Sequence, residues 1–447
     1  MFQLFRAEVL ASQSLRFARS YRGIPFLSKA WTSFATAIAA FAVTLSFSPA
    51  RSKPAVALDT NAFAAESHLA VPNGDPNLRA YWRGMAAAAR LQNAEAIRQL
   101  AAAARQIGPP LARRALEIAG TAALRAGRYR EAAELLRRAL ASDREHASPQ
   151  DRTELEQTRD VAVALAGVPP QTVEQLRETS LPLGISALGL TTVNAQINGR
   201  DQAAVIDTGA NLSTLSESAA EALGVRFVGA ASHVGSAATG SVASRMAVAD
   251  TVMIGPVILR HVAFLVLSDA ALSPAGPEKR IDAILGFPVL SALGRITFAQ
   301  IDGGRTLRIA RPPPASRIGN LRFSGYDAFV QARIGAEDVP LFLDSGATRT
   351  SLGKRYAAAH RDRLAGLQRI SVKIGGAGGV DHREAVVLPE LDITVGGTRV
   401  PLTDVEVELD GAVDAKGFGV IGADLLWARG GYTLDFRNLS LTLGNAP

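Results

Sequence analysis

The sequence predicts a multidomain protein in which an all-α region precedes an all-β region that contains two copies of one unit. The first observation is a repeated pattern: an apolar run ends in an acid, a hydroxyl residue, glycine and alanine at Ala204–Ala210 and again at Leu341–Ala347. The second is a segment, 78–166, rich in Ala, Leu, Arg and Glu, which favour helix. The third is the change after Val168 to short runs of Val, Ile, Thr and Leu interrupted by glycine, which is typical of strands.

The N-terminal segment has the charge pattern of an export signal. Residues 1–29 contain five basic residues and a single acid, Glu8, and Ala30–Ala50 contain no charge. Such a run is long for a signal-peptide core and just sufficient to span a bilayer. We therefore expect 1–57 to hold a signal peptide or an N-terminal membrane anchor. Its basic flank would lie in the cytoplasm, and the rest of the chain would be periplasmic or secreted.

The helical region follows a predicted linker at 58–77 and extends over 78–168. Part of it resembles the tetratricopeptide repeat, because small residues and one aromatic have that family's spacing. These residues are Gly120, Gly127, Tyr129, Ala132 and Ala139, with a weaker copy at Gly84, Ala96 and Ala103. The resemblance implies a surface that docks a peptide or a protein partner. A helical spacer packed on the β region is the alternative.

The β region contains an internal duplication. Asp207 and Asp344 lie 137 positions apart, and a later apolar run ends in glycine at Gly286 and again at Gly422, 79 and 78 positions after the acids. Matched offsets of this kind predict two copies of one all-β unit. The predicted segments are a linker at 169–183, lobe 1 at 184–314 and lobe 2 at 315–447.

The repeated unit resembles the retropepsin-like aspartic proteases. That family unit is an apolar strand, Asp-Thr/Ser-Gly-Ala, a β-hairpin flap, and an apolar pair followed by glycine; both copies contain these parts. The resemblance covers the chain from about Gly184 to the C-terminus. It implies an all-β, two-lobed acid-protease fold in which each lobe supplies one catalytic aspartate, Asp207 and Asp344.

Two facing carboxyl groups suit peptide hydrolysis. They cannot both ionise at short range, so they share one proton. The ionised group acts as general base on a water molecule, and the protonated group polarises the scissile carbonyl. The assignment of base and acid belongs to the pair and not to either residue. The alternative is that each aspartate merely caps its turn, and the duplication favours the pair.

The resemblance also implies roles for the neighbours of the two acids. Thr208 and Ser345 would exchange hydrogen bonds with main chain across a pseudo-two-fold axis. Glycines beside them would leave room for substrate. The catalytic loops are completed by Gly209, Ala210, Gly346 and Ala347.

Substrate contacts are expected from the loops and from two flaps. Asn211 and Thr348 stand where the family often has an acid that binds substrate backbone. The flap candidates are Val234–Ser241 and Ile374–Val380, Gly-rich hairpin tips suited to a lid that excludes water. The flap residues expected at the substrate are Gly235, Ser236, Gly376 and Gly378. A phosphate-binding loop is not expected at the second, since no Lys-Ser/Thr helix start follows.

Composition excludes several other functions. The chain has no cysteine and six scattered histidines, so we expect neither a metal site nor a cofactor. Its net charge of +7 comes from scattered arginines without a dense basic run, so no nucleic-acid partner is expected.

The sequence therefore predicts a monomeric aspartic endopeptidase that acts on polypeptides. One alternative is a non-catalytic periplasmic peptide-binding or scaffold protein that docks a partner through the helical region. Another is pairing of matching lobes between two chains.

Overall fold

A computed structural model describes residue 63 and residues 75–142, 148–236, 240–314, 319–410 and 418–444. The predicted signal peptide or anchor and nearly all of the predicted linker at 58–77 lie outside these residues. Within the described part, no helix is long and apolar enough to cross a membrane.

Five helices form the N-terminal part of the described chain, and each packs on the next. Proline at the first helical position begins three of them, where its missing N–H is not needed. The first and fifth are also capped by the side chains of Asp75 and Ser148. The helices are α1 (Pro76–Ala89), α2 (Asn93–Ala103), α3 (Pro109–Arg125), α4 (Tyr129–Ser142) and α5 (Pro149–Ala164).

One contact recurs between the paired helices. A methyl group added at Gly84 would lie 2.5 Å from Cγ of Leu100, and one added at Gly120 would lie 2.6 Å from Cγ of Leu136. The two contacts lie 36 positions apart, so α1–α2 and α3–α4 share a close glycine-on-leucine approach. The predicted helical region is confirmed, although it begins at Pro76 and its last helix ends at Ala164.

Lobe 1 is built from eleven strands and two short helices among the described residues. Its strands are β1 (Thr172–Gln175), β2 (Thr179–Ile185), β3 (Thr191–Ile197), β4 (Arg200–Ile206), β5 (Ser213–Ser216), β6 (Arg226–Ser236), β7 (Gly240–Ile254), β8 (Val257–Leu267), β9 (Ala283–Leu285), β10 (Arg295–Ile301) and β11 (Gly304–Ala310). Its helices are α6 (Glu217–Ala222) and α7 (Phe287–Ala292), and a 3₁₀ turn covers Pro277–Lys279.

Lobe 2 repeats this order. Its strands are β12 (Leu321–Ser324), β13 (Asp327–Ile334), β14 (Glu337–Leu343), β15 (Ser351–Leu352), β16 (Arg369–Gly376), β17 (Gly379–Val395), β18 (Thr398–Glu408), β19 (Gly419–Ile421), β20 (Gly431–Asp435) and β21 (Ser440–Leu443). Its helices are α8 (Lys354–Ala359), α9 (Arg361–Leu364) and α10 (Ala423–Trp427).

A buried parallel pair at the centre of each lobe positions the acid. In lobe 1, β4 pairs with β9, and Ile206 lies opposite Leu285. In lobe 2, β14 pairs with β19, and Leu343 lies opposite Ile421. All four side chains are buried, because both faces of these strands are covered by the core. Each acid therefore follows directly from the buried end of its strand.

The two lobes share one sheet beneath the acids. Strand β20 of lobe 2 pairs antiparallel with β10 of lobe 1, and Thr297 lies opposite Thr433 with 2.9 Å between their hydroxyl oxygens. These threonines are equivalent positions in the two copies, so the pseudo-two-fold axis passes between them. Phe298 and Tyr432, next along the strands, stack at 4.4 Å.

The predicted linker at 169–183 is wrong as a boundary. It contains β1 and most of β2, which pair with β8 and with β3 and β11 of lobe 1. Strand β2 is not predicted from residue propensity because it contains Pro182 and Gly184, and both residue types are rare in strands. The segment belongs to lobe 1 because its backbone hydrogen bonds are made there.

The helical region packs directly on lobe 1. Strand β6 has a register irregularity between Val228 and Ser232, where Gly229 adopts φ +70°. A methyl group at Gly229 would lie 2.4 Å from Cβ of Ala164, at the end of α5. The bulge therefore lets the end of α5 pack closely against β6, the outer strand of the β6–β7 hairpin.

Candidate active site

The two predicted aspartates occupy equivalent, buried positions. Asp207 is 0% exposed and Asp344 is 1% exposed. The Asp207 amide donates to the Leu285 carbonyl at 3.1 Å, and the Asp344 amide donates to the Ile421 carbonyl at 3.1 Å. These bonds continue the parallel pairing by one residue, which fixes where each carboxyl group leaves the sheet.

Main-chain amides of the following turn hold each carboxyl group. The Gly209 amide donates to Oδ1 of Asp207 at 2.8 Å. In lobe 2, the Gly346 and Ala347 amides donate to Oδ1 of Asp344 at 2.9 and 3.0 Å. Hydrogen bonds from N–H groups favour the ionised form of a carboxyl group.

Each carboxyl group lies against the glycine of the opposite lobe. A methyl group added at Gly209 would lie 2.6 Å from Cγ of Asp344, and one added at Gly346 would lie 2.7 Å from Cγ of Asp207. Only glycine leaves this space open, since real Cβ contacts do not reach such distances. The two acid loops therefore meet face to face, with both carboxyl groups at the contact.

The hydroxyl residues tie the two loops together. The Thr208 amide donates to Oγ of Ser345 at 3.0 Å, and the Ser345 amide donates to Oγ1 of Thr208 at 2.9 Å. Each hydroxyl then donates across the axis, Thr208 to the Leu343 carbonyl at 3.1 Å and Ser345 to the Ile206 carbonyl at 3.0 Å. Four buried hydrogen bonds thus fix one loop relative to the other.

The late glycines support the loops from below. A methyl group added at Gly286 would lie 2.6 Å from the Ala210 carbonyl oxygen, and one added at Gly422 would lie 2.4 Å from the Arg349 carbonyl oxygen. The residue after each glycine donates its amide to the loop alanine, to Ala210 at 2.9 Å and to Ala347 at 2.8 Å. The backbone approach at these points excludes any side chain.

Three residues at this support were not singled out from the sequence. Oγ of Ser213 accepts from the Gly286 amide at 3.1 Å, and Oγ1 of Thr350 accepts from the Gly422 amide at 3.0 Å. Ser213 and Thr350 lie 137 positions apart, as do the two acids. This shared offset is the sequence signal that could have identified them. The third is Tyr432, buried beneath the loops. Burial raises the pKa of its hydroxyl, and a hydrogen bond with Ser345 opposes that change.

The other predicted substrate positions lie in different environments. Asn211 is buried directly after the first acid loop, whereas Thr348 is partly exposed. Gly235 belongs to the hairpin β6–β7, and Gly376 and Gly378 belong to the hairpin β16–β17. The tip of the first hairpin, 237–239, lies outside the described residues, as does the side chain of Ser236.

The tip of the second hairpin reaches the other lobe. The Gly378 amide donates to the Ala271 carbonyl of lobe 1 at 2.9 Å. The neighbouring Ala377 is buried. This hairpin therefore crosses from lobe 2 to lobe 1, as a lid over a cleft between them would.

The base of this hairpin in lobe 2 is charged. Glu408 and Arg383 form a buried ion pair at 2.9 Å, and Arg383 also contacts Asp381 at 3.1 Å. Loss of water raises the pKa of Glu408, and Arg383 opposes this rise. Burial likewise raises the pKa of the nearby Glu406, against the effect of Arg349. Among the described residues, no group of three or more His, Asp or Glu side chains could hold a metal ion.

A two-lobed β structure with one buried aspartate from each lobe at a pseudo-two-fold axis is the arrangement of acid proteases. One comparison with known proteins gives a family match. Residues 193–289, most of lobe 1, match the family model described as "Aspartyl protease".

Solved structures give the second comparison, in which 43 chains match. One is a retropepsin-like aspartic protease from Rickettsia conorii, with 17% identity and a TM-score of 0.20 over 31% of this chain and 92% of that one. No curated protein matches.

Proposed function

We propose that this protein is an aspartic endopeptidase that hydrolyses peptide bonds with a water molecule activated between Asp207 and Asp344. One observation carries the proposal: each acid packs against the glycine of the other lobe, so a single chain assembles a paired-carboxyl site. The match of 193–289 to the aspartyl protease family supports aspartic protease activity in general.

The chemistry follows from the contact of the two loops. Two carboxyl groups this close share one proton, and the pair titrates as a unit. The ionised member takes a proton from water as it attacks the scissile carbonyl carbon, and the protonated member donates to the carbonyl oxygen. The amine then leaves with a proton from the pair. The hydrogen bonds of Thr208 and Ser345 hold the carboxyl groups in place, so little reorganisation is needed.

The substrate is proposed to be an extended polypeptide segment held between the lobes. An extended backbone can add to the edges of the β hairpins by main-chain hydrogen bonding. The contact between Gly378 and Ala271 would have to open for a chain to enter and close again over it. The second hairpin is therefore the proposed lid.

The test compares the wild-type chain with Asp207→Asn and Asp344→Asn. Each protein is incubated from pH 3 to 8 with a peptide library and a denatured protein, and products are identified by mass spectrometry. Exposed aspartates provide matched controls, Asp201→Asn in lobe 1 and Asp338→Asn in lobe 2. Cleavage should disappear in both site variants and persist in both controls. Cleavage that survives either site substitution would exclude the paired mechanism, and absence of cleavage at every pH would favour a binding protein.

Export and partner docking are further parts of the proposal. The uncharged run Ala30–Ala50 after a basic segment supports delivery across a membrane, by a cleaved signal or an anchor. The recurring glycine-on-leucine contact of α1–α2 and α3–α4 supports a tetratricopeptide-like repeat that could dock a protein partner. Protease accessibility of the chain in intact cells would test the first proposal.

A further inference from the structure

A cavity of about 240 Å³ lies where the helical region meets both lobes. Three parts of the chain form its walls: the junction of α3 and α4 with the end of α5, the segment of lobe 1 around β5 and α7, and the turn after β12 of lobe 2. The cavity is thus distinct from the contact between the two acid loops. The lining residues that matter here are Arg125, Tyr129, Leu212, Phe287, Ala292 and Tyr326.

The lining of the cavity includes one cationic side chain, that of Arg125, and no acidic one. Arg125 is the last residue of α3, and neither Asp nor Glu is among the lining residues. Its guanidinium donates to two carbonyl oxygens, of Gly325 at 2.5 Å and of Ala88 at 3.0 Å. Within the described residues, its Nε has no hydrogen-bond partner. A guanidinium has five donors in a planar fork, so this one keeps donors that carbonyl groups do not use.

A partly buried cation of this kind favours an anion beside it. Removal of water lowers the pKa of Arg125 to about 10, and only Tyr326 opposes the shift. A guanidinium in a poorly hydrated site is costly unless it is paired. A carboxylate would pair with it through two parallel hydrogen bonds, the geometry that Arg matches best.

The remaining walls fit a carboxylate joined to a small apolar body. Tyr129 and Tyr326 line the cavity, and burial raises the pKa of both hydroxyls. Leu212 and Phe287 supply apolar surface on the lobe 1 side. The volume is below that of a typical drug-sized site and suits one or two amino-acid residues.

We propose that this cavity is a carboxylate-binding site, with Arg125 as the residue that pairs with the carboxylate. The carboxylate can belong to a small organic acid or to a polypeptide, as an acidic side chain or a free C-terminus. Leu212 follows Asn211, the residue directly after the first acid loop, so the site lies close to one end of that loop. The binding itself does not depend on proteolysis.

Arg125 also has a structural role, which the test must separate from ligand binding. Its bonds to Ala88 and Gly325 join the end of α1 to lobe 2. Replacement of Arg125 can therefore weaken the packing of the helical region even when no ligand exists. Filling the cavity from the lobe 1 side, at Ala292 in α7, leaves these bonds intact.

The experiment is isothermal titration of the full chain with matched acid and amide probes. The small probes are N-acetyl-L-glutamate and N-acetyl-L-glutamine; the peptide probes are one tetrapeptide with a free C-terminus and the same tetrapeptide as the carboxamide. We expect saturable 1:1 binding of an acid probe, at least tenfold tighter than its amide. Binding should disappear in Arg125→Gln and Ala292→Phe. It should be unchanged in Arg130→Gln, because Arg130 is exposed and also bonds a carbonyl of the helical region.

The outcomes are decisive in either direction. Binding of the small acid would identify a free organic acid as a sufficient ligand, and binding of the peptide acid alone would identify a polypeptide source. Equal binding of acid and amide, no saturation with any probe, or wild-type binding by Ala292→Phe would overturn the proposal. If Arg125→Gln does not fold, the Ala292→Phe result decides by itself.

Discussion

The two lobes are nearly identical at the acid loops and differ at the base of their flaps. The long hairpins correspond in register, since Ile254 pairs with Val257 in lobe 1 and Val395 with Thr398 in lobe 2. By this correspondence, two positions that are apolar in lobe 1 carry a buried ion pair in lobe 2. The residues are Val242 and Leu267 in lobe 1, and Arg383 and Glu408 in lobe 2.

The difference shows which parts of a duplicated unit are constrained by the other copy. Thr208, Gly209 and their counterparts each contact the opposite lobe, so a change in one copy affects both. The flap bases pack within their own lobe and can differ. The flaps also differ in length: seven residues separate the paired Val234 and Val242, and ten separate the paired Val372 and Arg383. Among the described residues, only the longer flap contacts the other lobe, through Gly378 and Ala271.

The largest effect should come from a change that the two lobes share. Gly209→Ala and Gly346→Ala each place a methyl group within 2.7 Å of the opposite carboxyl carbon, so either change must separate the loops. A displacement of about 1 Å at a catalytic group costs roughly 100-fold in rate. We expect kcat/KM to fall by at least this factor in both variants. The control is Gly167→Ala, an exposed position where nothing lies within 4 Å of the added methyl group. A normal rate in one site variant would show that the lobes are not equivalent.

The buried ion pair of lobe 2 should give the next largest effect. Arg383→Met leaves Glu408 buried without this partner, which costs about 3–5 kcal/mol of unfolding free energy. Replacing the pair with the lobe 1 residues, as Arg383→Val with Glu408→Leu, should be neutral or stabilising by about 1–4 kcal/mol. Both are measured by chemical denaturation.

The control for this prediction is an exposed ion pair between β16 and β17. Arg369 and Glu384 lie 3.0 Å apart and are largely exposed, so Arg369→Met should cost less than about 1 kcal/mol. If the double replacement is as unstable as Arg383→Met, the ion pair itself is required in lobe 2.

The pH dependence of stability should also distinguish the lobes. Loss of water raises the folded-state pKa of Glu406 above its usual 4.5, and its counterpart in lobe 1 is Leu265, which does not titrate. The folded state therefore binds more protons than the unfolded state above pH 4.5. The contribution of Glu406 is present below pH 4.5 and is lost as the pH rises through the folded-state pKa. Denaturation from pH 4 to 8 should show a smaller decline in Glu406→Gln than in the wild type; an equal decline would contradict this.

The smallest effect concerns the turns before the acid strands. In lobe 1, Asn198 adopts φ +49° and its amide oxygen accepts from the amides of Asp250 and Thr251 at 2.9 and 3.2 Å. Lobe 2 has Gly335 at the equivalent place, with φ +61°. Asn198→Gly should cost about 1 kcal/mol through lost hydrogen bonds. Gly335→Asn should change stability by less than about 0.5 kcal/mol, since Asn tolerates a positive φ and the space around the residue is open. Equal effects of the two substitutions on the free energy of unfolding would contradict this prediction.

The fold class was predictable because the duplicated features are local. An apolar strand, an acid and a turn are adjacent in the sequence, and a second copy at a constant offset makes the pattern stand out. The order of a helical region followed by two β lobes is confirmed by the structure. The tetratricopeptide character of the helices stays a prediction.

Features that depend on distant contacts could not be predicted. Arg383 and Glu408 look like solvated strand residues until their burial is known. The pairing of Thr297 with Thr433 depends on how the lobes meet, which no local pattern specifies. The segment 169–183 contains residues with poor strand propensity, and its two strands form because strands of lobe 1 pair with them.

The shared sheet beneath the acids has a consequence for the connectivity of the chain. Because Thr297 faces its own equivalent, β10 and β20 present the same kind of edge to one another, as in an isologous dimer. The covalent link between Pro314 and Gly319 is then not what holds the halves together. Two separately made polypeptides, divided at that link, should therefore reassemble. Either half alone would expose its β10 or β20 edge, which a second copy of the same half could pair with.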